Sequence, residues 1–232
     1  MNLLSILLQV SADSAVTTAT AISNQNYFQL LLKGGWILVP LFSLLILATY
    51  MIVERWVFIN MLGKADANWI ADVNKLVANG EIENAIKLCN EKNTTYAKVL
   101  VAGLESAEFD DMEIQEAIQS EAKQQISILE RGMNYLGITA SVAPMLGFLG
   151  TIFGVIKIFY NISITNDLNI ANISDGLYQK MISSGTGLFV GIIAYSGYYV
   201  LNGRIDRIVV RMDKYSNDLL KGIRNNKRAK NA

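Results

Sequence analysis

SVAPMLGFLGTIFGVIKIF, residues 141–159, is apolar enough to cross a membrane and too rich in small residues to be a plain anchor. At 3.6 residues per turn, Ala140, Ala143, Gly147, Gly150, Thr151 and Gly154 fall on one broad face, bordered by Pro144. Leu146, Phe148, Leu149, Ile152, Phe153 and Val155 make up the other. Small residues let helix backbones approach in lipid, where apolar area alone gives no preference for protein over acyl chains. Thr151 is the hydroxyl in the middle of that face. A lone membrane threonine usually bonds the carbonyl one turn back and serves packing; the competing reading is a hydroxyl that lines a path.

Working outward, two further segments share this apolar character, so the chain carries three, at 36–58, 136–160 and 177–201. Each approaches or exceeds the roughly 20 residues needed to span a hydrocarbon core. The expectation is an all-α integral membrane protein with three transmembrane helices, whose long helices extend into a cytoplasmic helical domain. The 232 residues hold no histidine and one cysteine, Cys89. That excludes an internal disulfide, a Cys/His zinc site and a Ser-His or Cys-His nucleophile pair. No Walker-type phosphate loop occurs, and the glycines of the apolar segments follow no strand. Neither an enzyme nor a cofactor or metal site is expected, and energy does not come visibly from ATP.

The chain divides as follows. Residues 1–33 form an N-terminal segment outside the membrane, with a surface helix at its short apolar run; a cleaved signal is the other reading, against which stands the lack of a basic start. Residues 34–58 are the first span. Gly34 and Gly35 loosen its entry, Trp36 anchors it at the interface, and Pro40 sits in the first turn where it costs least. It ends at Glu54-Arg55-Trp56. An intramembrane carboxylate is a functional candidate by default, but the neighbouring Arg55 and the position near the helix end favour a surface reading of Glu54.

Residues 59–133 are soluble in character and acidic, with thirteen Asp or Glu against seven Lys or Arg between 60 and 133; such charge is usually a solvated helix face. A break is expected at Asn79-Gly80, and Asp110-Asp111 should cap a helix free of Gly and Pro from Met112 to Arg131 that runs on into the second span, with a soft point at Gly132. The second span is 134–160, the link 161–174, the third span 175–202 and the basic tail 203–232. The link carries Asp167 and no Lys or Arg. The tail carries Arg204, Arg207, Arg211, Lys214, Lys221, Arg224, Lys227, Arg228 and Lys230 against Asp206, Asp213 and Asp218. A basic run directly after a span is the positive-inside signal far more often than a nucleic-acid site. It assigns the C-terminus to the cytoplasm and the N-terminus to the periplasm, with membrane lipids as surroundings and no nucleic-acid partner.

The third span, LYQKMISSGTGLFVGIIAYSGYYVL, has its own small stripe at Ser183, Gly187, Gly191, Ala194 and Gly197. Ser184 and Thr186 lie at opposite edges of it, about 200° apart at 100° per residue. Because the second and third spans run in opposite directions, Thr151, Ser184 and Thr186 share a depth to within roughly 5 Å at 1.5 Å per residue. No Asp or Glu lies deep in any span; Asp175 is at the outer edge, and Lys157 and Lys180 are placed to snorkel. If protons cross, the titrating carboxylate must come from another subunit.

At this point the residues match a known pattern. LERGMNYLGITASVAPMLGFLGTIFGVI resembles the signature of the MotA/TolQ/ExbB proton-channel family, and SSGTGLFVGIIAYSGYYVLNGRIDRI resembles its third span. GEIENAIKLC is similar to the family's cytoplasmic helices, and KGGWILVPL…IVERW to its first span. The likeness runs from about Tyr27 to Leu220. Three spans and a short outer N-terminus look like ExbB or TolQ rather than the four-span MotA. The resemblance implies a homo-oligomeric ring, described for ExbB as a pentamer. The ring surrounds single-span helices of an ExbD/TolR-like partner, whose membrane aspartate carries the proton. Proton flow then energises outer-membrane transport through a TonB-like protein, or the envelope through the Tol-Pal system.

By motif position Thr151 takes the place of the family's threonine after Gly-Leu-Leu-Gly. Ser183 and Ser184 take the place of its paired threonines, with Ser184 at the lumen-lining position. Close packing is implied for Ala143, Gly147, Gly150, Gly154, Gly187 and Gly191. The chain departs where the family's third span begins with a Glu: Gln179 stands there, followed by Lys180. An outer-mouth carboxylate would then have to be Asp175. A proline of the family's third span is replaced by Ile193. Three functions remain: an ExbB-like motor subunit, a TolQ-like subunit, and a passive scaffold whose small faces only assemble helices.

Overall fold

The computed structural model describes residues 36–64, 66–165 and 170–230, with Ala67, Ala171, Asn172, Asp175, Ala229 and Lys230 described by backbone only. The surface helix expected within 1–33, Gly34 and Gly35, and Asp167 lie outside the described residues. Those residues form seven helices and no strands: α1 (Leu38–Leu62), α2 (Ala67–Ala78), α3 (Ile82–Asn90), α4 (Thr95–Glu105), α5 (Asp111–Glu130), α6 (Met133–Thr165) and α7 (Ile170–Lys230). Three helices are long and apolar enough to cross a membrane, in Leu38–Leu62, Met133–Thr165 and Gly176–Arg228. The all-α reading with three candidate spans therefore holds.

The chain separates into two compact units, one comprising the described residues up to Leu45 with Ser141–Ile192, the other Ile46–Ala140 with Ile193–Ala232. The first is inside-out by the standard of a water-soluble fold. Phe148, Phe153 and Phe159 are exposed, while Ala143, Gly147, Gly150 and Gly154 are buried. Its small apolar cluster is Ile37, Leu38, Leu41, Ala143 and Val190.

The second unit has a conventional core. Local chemistry starts its short helices: Asp66 accepts from the Asn68 amide (3.1 Å), Thr94 from that of Ala97 (3.3 Å) and Asp110 from that of Asp111 (2.9 Å). Gly80, at φ +83°, turns the chain out of α2 in the left-handed region where a side chain would be strained. Successive helices α2 to α5 pack in turn on one another. Val73, Val77, Ala85, Cys89, Leu104 and Ile114 fill the interior. The basic tail is the end of the 61-residue α7. Leu219 and Ile223 are buried in the same core. Its Asn226 amide donates to the Val77 carbonyl (2.9 Å), which also accepts from the Gly80 amide (3.1 Å), and to the Ala78 carbonyl (3.3 Å) at the end of α2. Arg224 meets Asp111 at 2.9 Å, and Lys227 donates to the Phe109 carbonyl.

One expectation is corrected. The long helix after Asp110 does not run on into the second span. It stops at Glu130, Arg131 turns to φ −54°, ψ 125°, and Gly132 takes φ +85° before α6 begins. A single left-handed glycine thus replaces a helical turn with a sharp joint. At the end of the first apolar run the Glu54–Arg55 pair is partly enclosed. The Arg55 side chain is only 13% exposed, and its Nη2 donates to Glu54 at 2.7 Å. It lies over the Phe58 ring.

Burial also fixes the chemistry of Cys89. Its thiol is fully enclosed and desolvation pushes its pKa from 9.0 up to about 12. The folded form therefore keeps a proton that the unfolded chain releases above pH 9. This group's contribution to stability is complete below pH 9 and is lost as the pH rises toward about 12. Maleimide at pH 8 should leave Cys89 unlabelled in the folded protein and modify it fully in denaturant, read by intact mass; rapid labelling of the native protein would contradict the burial.

Candidate functional site

The site is the antiparallel seam between α6 and α7 inside the first unit. Its register follows from which residues a Cβ on each glycine would meet. At Gly187 a Cβ would fall 2.6 Å from the Ala143 carbonyl oxygen and 2.9 Å from the Gly147 Cα. At Gly147 it would come within 3.1 Å of the Ser184 Cα and carbonyl oxygen. At Gly150 it would meet the Ser183 Oγ at 3.0 Å and Ile37 at 3.1 Å, and at Gly154 the aliphatic stem of Lys180. The helices touch backbone to backbone, with no side chain between them at Gly147 and Gly187.

This register sets the hydroxyls. Ser183 is fully buried on the seam, and its Oγ has no hydrogen-bond partner. Ser184 is half-buried beside Gly147. Thr151, half-buried, lies one turn from both Gly147 and Gly154, at the level between Ser184 and Lys180. Its Oγ1 donates to the Phe148 carbonyl at 2.6 Å. That is the plain packing bond of a membrane threonine, yet it occupies only the donor; both lone pairs can still accept. Thr186 is likewise bonded back, to the Ile182 carbonyl at 2.8 Å. A wall of this kind can accept from, or donate to, a neutral carboxyl group or water, and cannot itself titrate.

Of the outer-mouth residues, Gln179 is half-buried and Lys180 lays its stem across Gly154; the Asp175 side chain lies outside the described residues. Gly191 is buried, as are Ser183 and Gly187. Sequence reasoning treated Lys180 as a snorkelling residue and did not give it a seat. The signal was present in the summed register, since residues 154 and 180 oppose each other in the same alignment that pairs Gly147 with Gly187. It also missed Ile37, which reaches Gly150 from the start of the first span; no periodicity links those two.

The model of the MotA/TolQ/ExbB proton channel family matches residues 91–214, just over half of the chain. The chain belongs to the MotA/TolQ/ExbB proton channel family. It is a membrane protein of a family of transport subunits rather than of an enzyme class. Among its relatives is a protein of Synechocystis sp. named biopolymer transport protein ExbB-like 3, 26% identical over 163 residues, which cover 69% of this chain and 78% of that one. The biopolymer transport protein ExbB of Xanthomonas campestris is 26% identical over 116 residues, 50% of this chain and 44% of the relative. The Tol-Pal system protein TolQ of Haemophilus influenzae is 30% identical over 84 residues, 36% of this chain and 37% of the relative.

The seam makes a direct prediction. Gly187→Ala pushes a methyl against backbone atoms that cannot rotate away, and overpacking of this kind costs about 1–3 kcal/mol. Gly185, where a Cβ would meet nothing within 4 Å, is the control. Thermal unfolding in detergent should show a lowered midpoint for Gly187→Ala and an unchanged one for Gly185→Ala; equal midpoints would show that the close approach is not made.

Proposed function

We propose that this chain is an ExbB-like subunit of a motor driven by the proton-motive force. In this reading several copies form a ring in the bacterial inner membrane, with the N-terminus periplasmic and the C-terminus cytoplasmic. The ring encloses a single-span ExbD/TolR-like partner that supplies the membrane aspartate. Proton passage past Thr151 and Ser184 then energises a TonB-like protein. The observation that carries the reading is a pair of hydroxyls at one level of a tightly packed helix seam, in spans that hold no Asp or Glu in their depth. Such a wall is polar enough for a protonated carboxyl to hydrogen-bond and too neutral to trap it. The basic residues after the third span support the orientation. Relatives named ExbB support the transport role, and the match to TolQ supports a Tol-Pal role as the second reading.

Energetically the scheme is modest. One proton crossing the membrane releases about 2.3 kcal/mol per 100 mV, enough to bias a conformational step of a few kcal/mol. Thr151→Val with Ser184→Ala removes both hydroxyls with little change of shape. In proteoliposomes holding the complex with its single-span partner, proton flux read by an internal pH dye should fall at least about tenfold, the loss of one or two hydrogen bonds in the path, while the complex still co-purifies. Unchanged flux would remove these residues from the path. No flux even in the unaltered complex would favour a passive scaffold. Which outer protein co-purifies, TonB-like or a Tol-Pal component, separates the two transport readings.

A further inference from the structure

A cavity of about 1050 Å³ lies in the second unit, lined by Tyr50, Glu54, Arg55, Ser127, Arg131 and Tyr135 among others. It forms where α1 passes the Gly132 joint between α5 and α6; a Cβ on Gly132 would meet Met51 and the Arg55 guanidinium. Three features define its chemistry. First, Glu54 takes up Arg55 Nε and Nη2, and the remaining Nη1 is buried with no hydrogen-bond partner. A buried guanidinium N–H without an acceptor is costly and asks for one. Second, Arg131 and Glu130 are exposed at the rim, so the lining holds two positive and two negative side chains. Third, the cavity sits at the charged end of the first apolar run, which closes at Glu54-Arg55-Trp56. The large apolar side chains of Ile46, Tyr50, Tyr135 and Ile138 are exposed on the membrane-spanning helices that continue from it. That is the level of lipid headgroups.

We propose that this cavity binds one phospholipid with a zwitterionic headgroup, of the phosphatidylethanolamine kind. The phosphate oxygens accept from Arg131 at the rim and from Arg55 Nη1, which a turn of the Arg55 side chain brings to the cavity, both as charge-assisted hydrogen bonds. The headgroup ammonium meets Glu130. The acyl chains run along the exposed apolar side chains of α1 and α6. A lipid seated there wedges the joint at Gly132 and couples the first span to the cytoplasmic-type helices through a molecule of the bilayer itself. A free phosphate would use the same two arginines and leave the apolar surface uncovered. A second copy of this chain would have to bring its own acceptor to Arg55.

The full chain purified in detergent tests this. Dioleoyl phosphatidylethanolamine should raise the thermal midpoint and remain bound in native mass spectrometry at one per chain. Dioleoylglycerol (no phosphate) and glycerophosphoethanolamine (no acyl chains) should do neither. Arg55→Lys keeps the charge beside Glu54 and loses the Nη1 donor, and Arg131→Gln removes the rim cation. Each should weaken retention by about tenfold, the loss of one charge-assisted hydrogen bond. Ser127→Trp fills the cavity from its exposed rim and leaves both arginines in place. It should abolish retention and leave the lipid-free midpoint unchanged, which separates lost binding from lost folding. Equal stabilisation by glycerophosphoethanolamine would overturn the lipid in favour of a soluble phosphate ligand. Equal retention of dioleoylglycerol would show that the phosphate is not read. A photo-reactive residue at position 127 that cross-links to a second chain instead of to lipid would assign the cavity to an interface between copies.

Discussion

The contact of the Gly187 position with the Ala143 carbonyl and the Gly147 backbone is the constraint on which the seam between α6 and α7 depends. In water, burying a large apolar side chain would hold such a pair together at about 1.5–3 kcal/mol each. Lipid offers no such gain, because acyl chains solvate leucine as well as protein does. What remains is close van der Waals contact, which needs backbones near each other over a long stretch. Glycines at 147, 150, 154 and 187 provide it, and their lack of side chains decides which other atoms meet. Ser183 is enclosed, Ser184 is left at the edge, and the Lys180 stem fills the notch at Gly154. The positions of the hydroxyls follow from the glycines rather than from any attraction between hydroxyls.

The unit that contains α2 to α5 follows other rules. There apolar burial dominates, and the long α7 is held by Leu219, Ile223 and Met212, all within a few per cent of complete burial. The Arg224–Asp111 pair adds little, since both side chains are about half exposed and pairs of that kind contribute at most about 1 kcal/mol. The Asn226 amide matters more for geometry, because it ties the end of α7 to the Val77 and Ala78 carbonyls in the last turn of α2. Its neighbour Gly80 leaves just enough room, with a Cβ there falling 3.1 Å from the Asn226 amide.

Much of this was legible in the sequence because lipid imposes simple demands. Long apolar runs gave the three candidate spans, and the spacing of Ala143, Gly147, Gly150 and Gly154 gave the buried face. Asp110 and Gly80 gave a helix start and a helix stop through local chemistry that needs no partner. What failed was what depends on distant residues. Gly132 is a joint rather than a soft point because Met51 and Arg55 pack where its side chain would be. The enclosure of Arg55 was not legible either, because it depends on α5 and α6 residues far along the chain. At Thr151 the two readings are compatible: its back-bond to Phe148 is the packing bond expected of a membrane threonine, and that bond leaves its acceptor capacity intact.

The absence of a carboxylate from the seam between Ala143–Gly154 and Lys180–Gly191 has its own logic under the proposed function. A charged residue at mid-depth costs about 2.5–3.5 kcal/mol even by the milder insertion scales. A subunit present in several copies would pay it in each, whether or not a proton was passing. Threonine and serine avoid that cost, since their polarity can be met by the helix they sit on, as Thr151 and Thr186 show. A carboxyl brought by a partner can then be neutral while it faces the wall and charged where water reaches it. The wall need only favour the neutral form by hydrogen bonds that the bonded-back hydroxyl of Thr151 still has lone pairs to make. Serine in place of threonine at 184 keeps that capacity and removes a methyl from the edge of the seam, which leaves more room for the acid and its water.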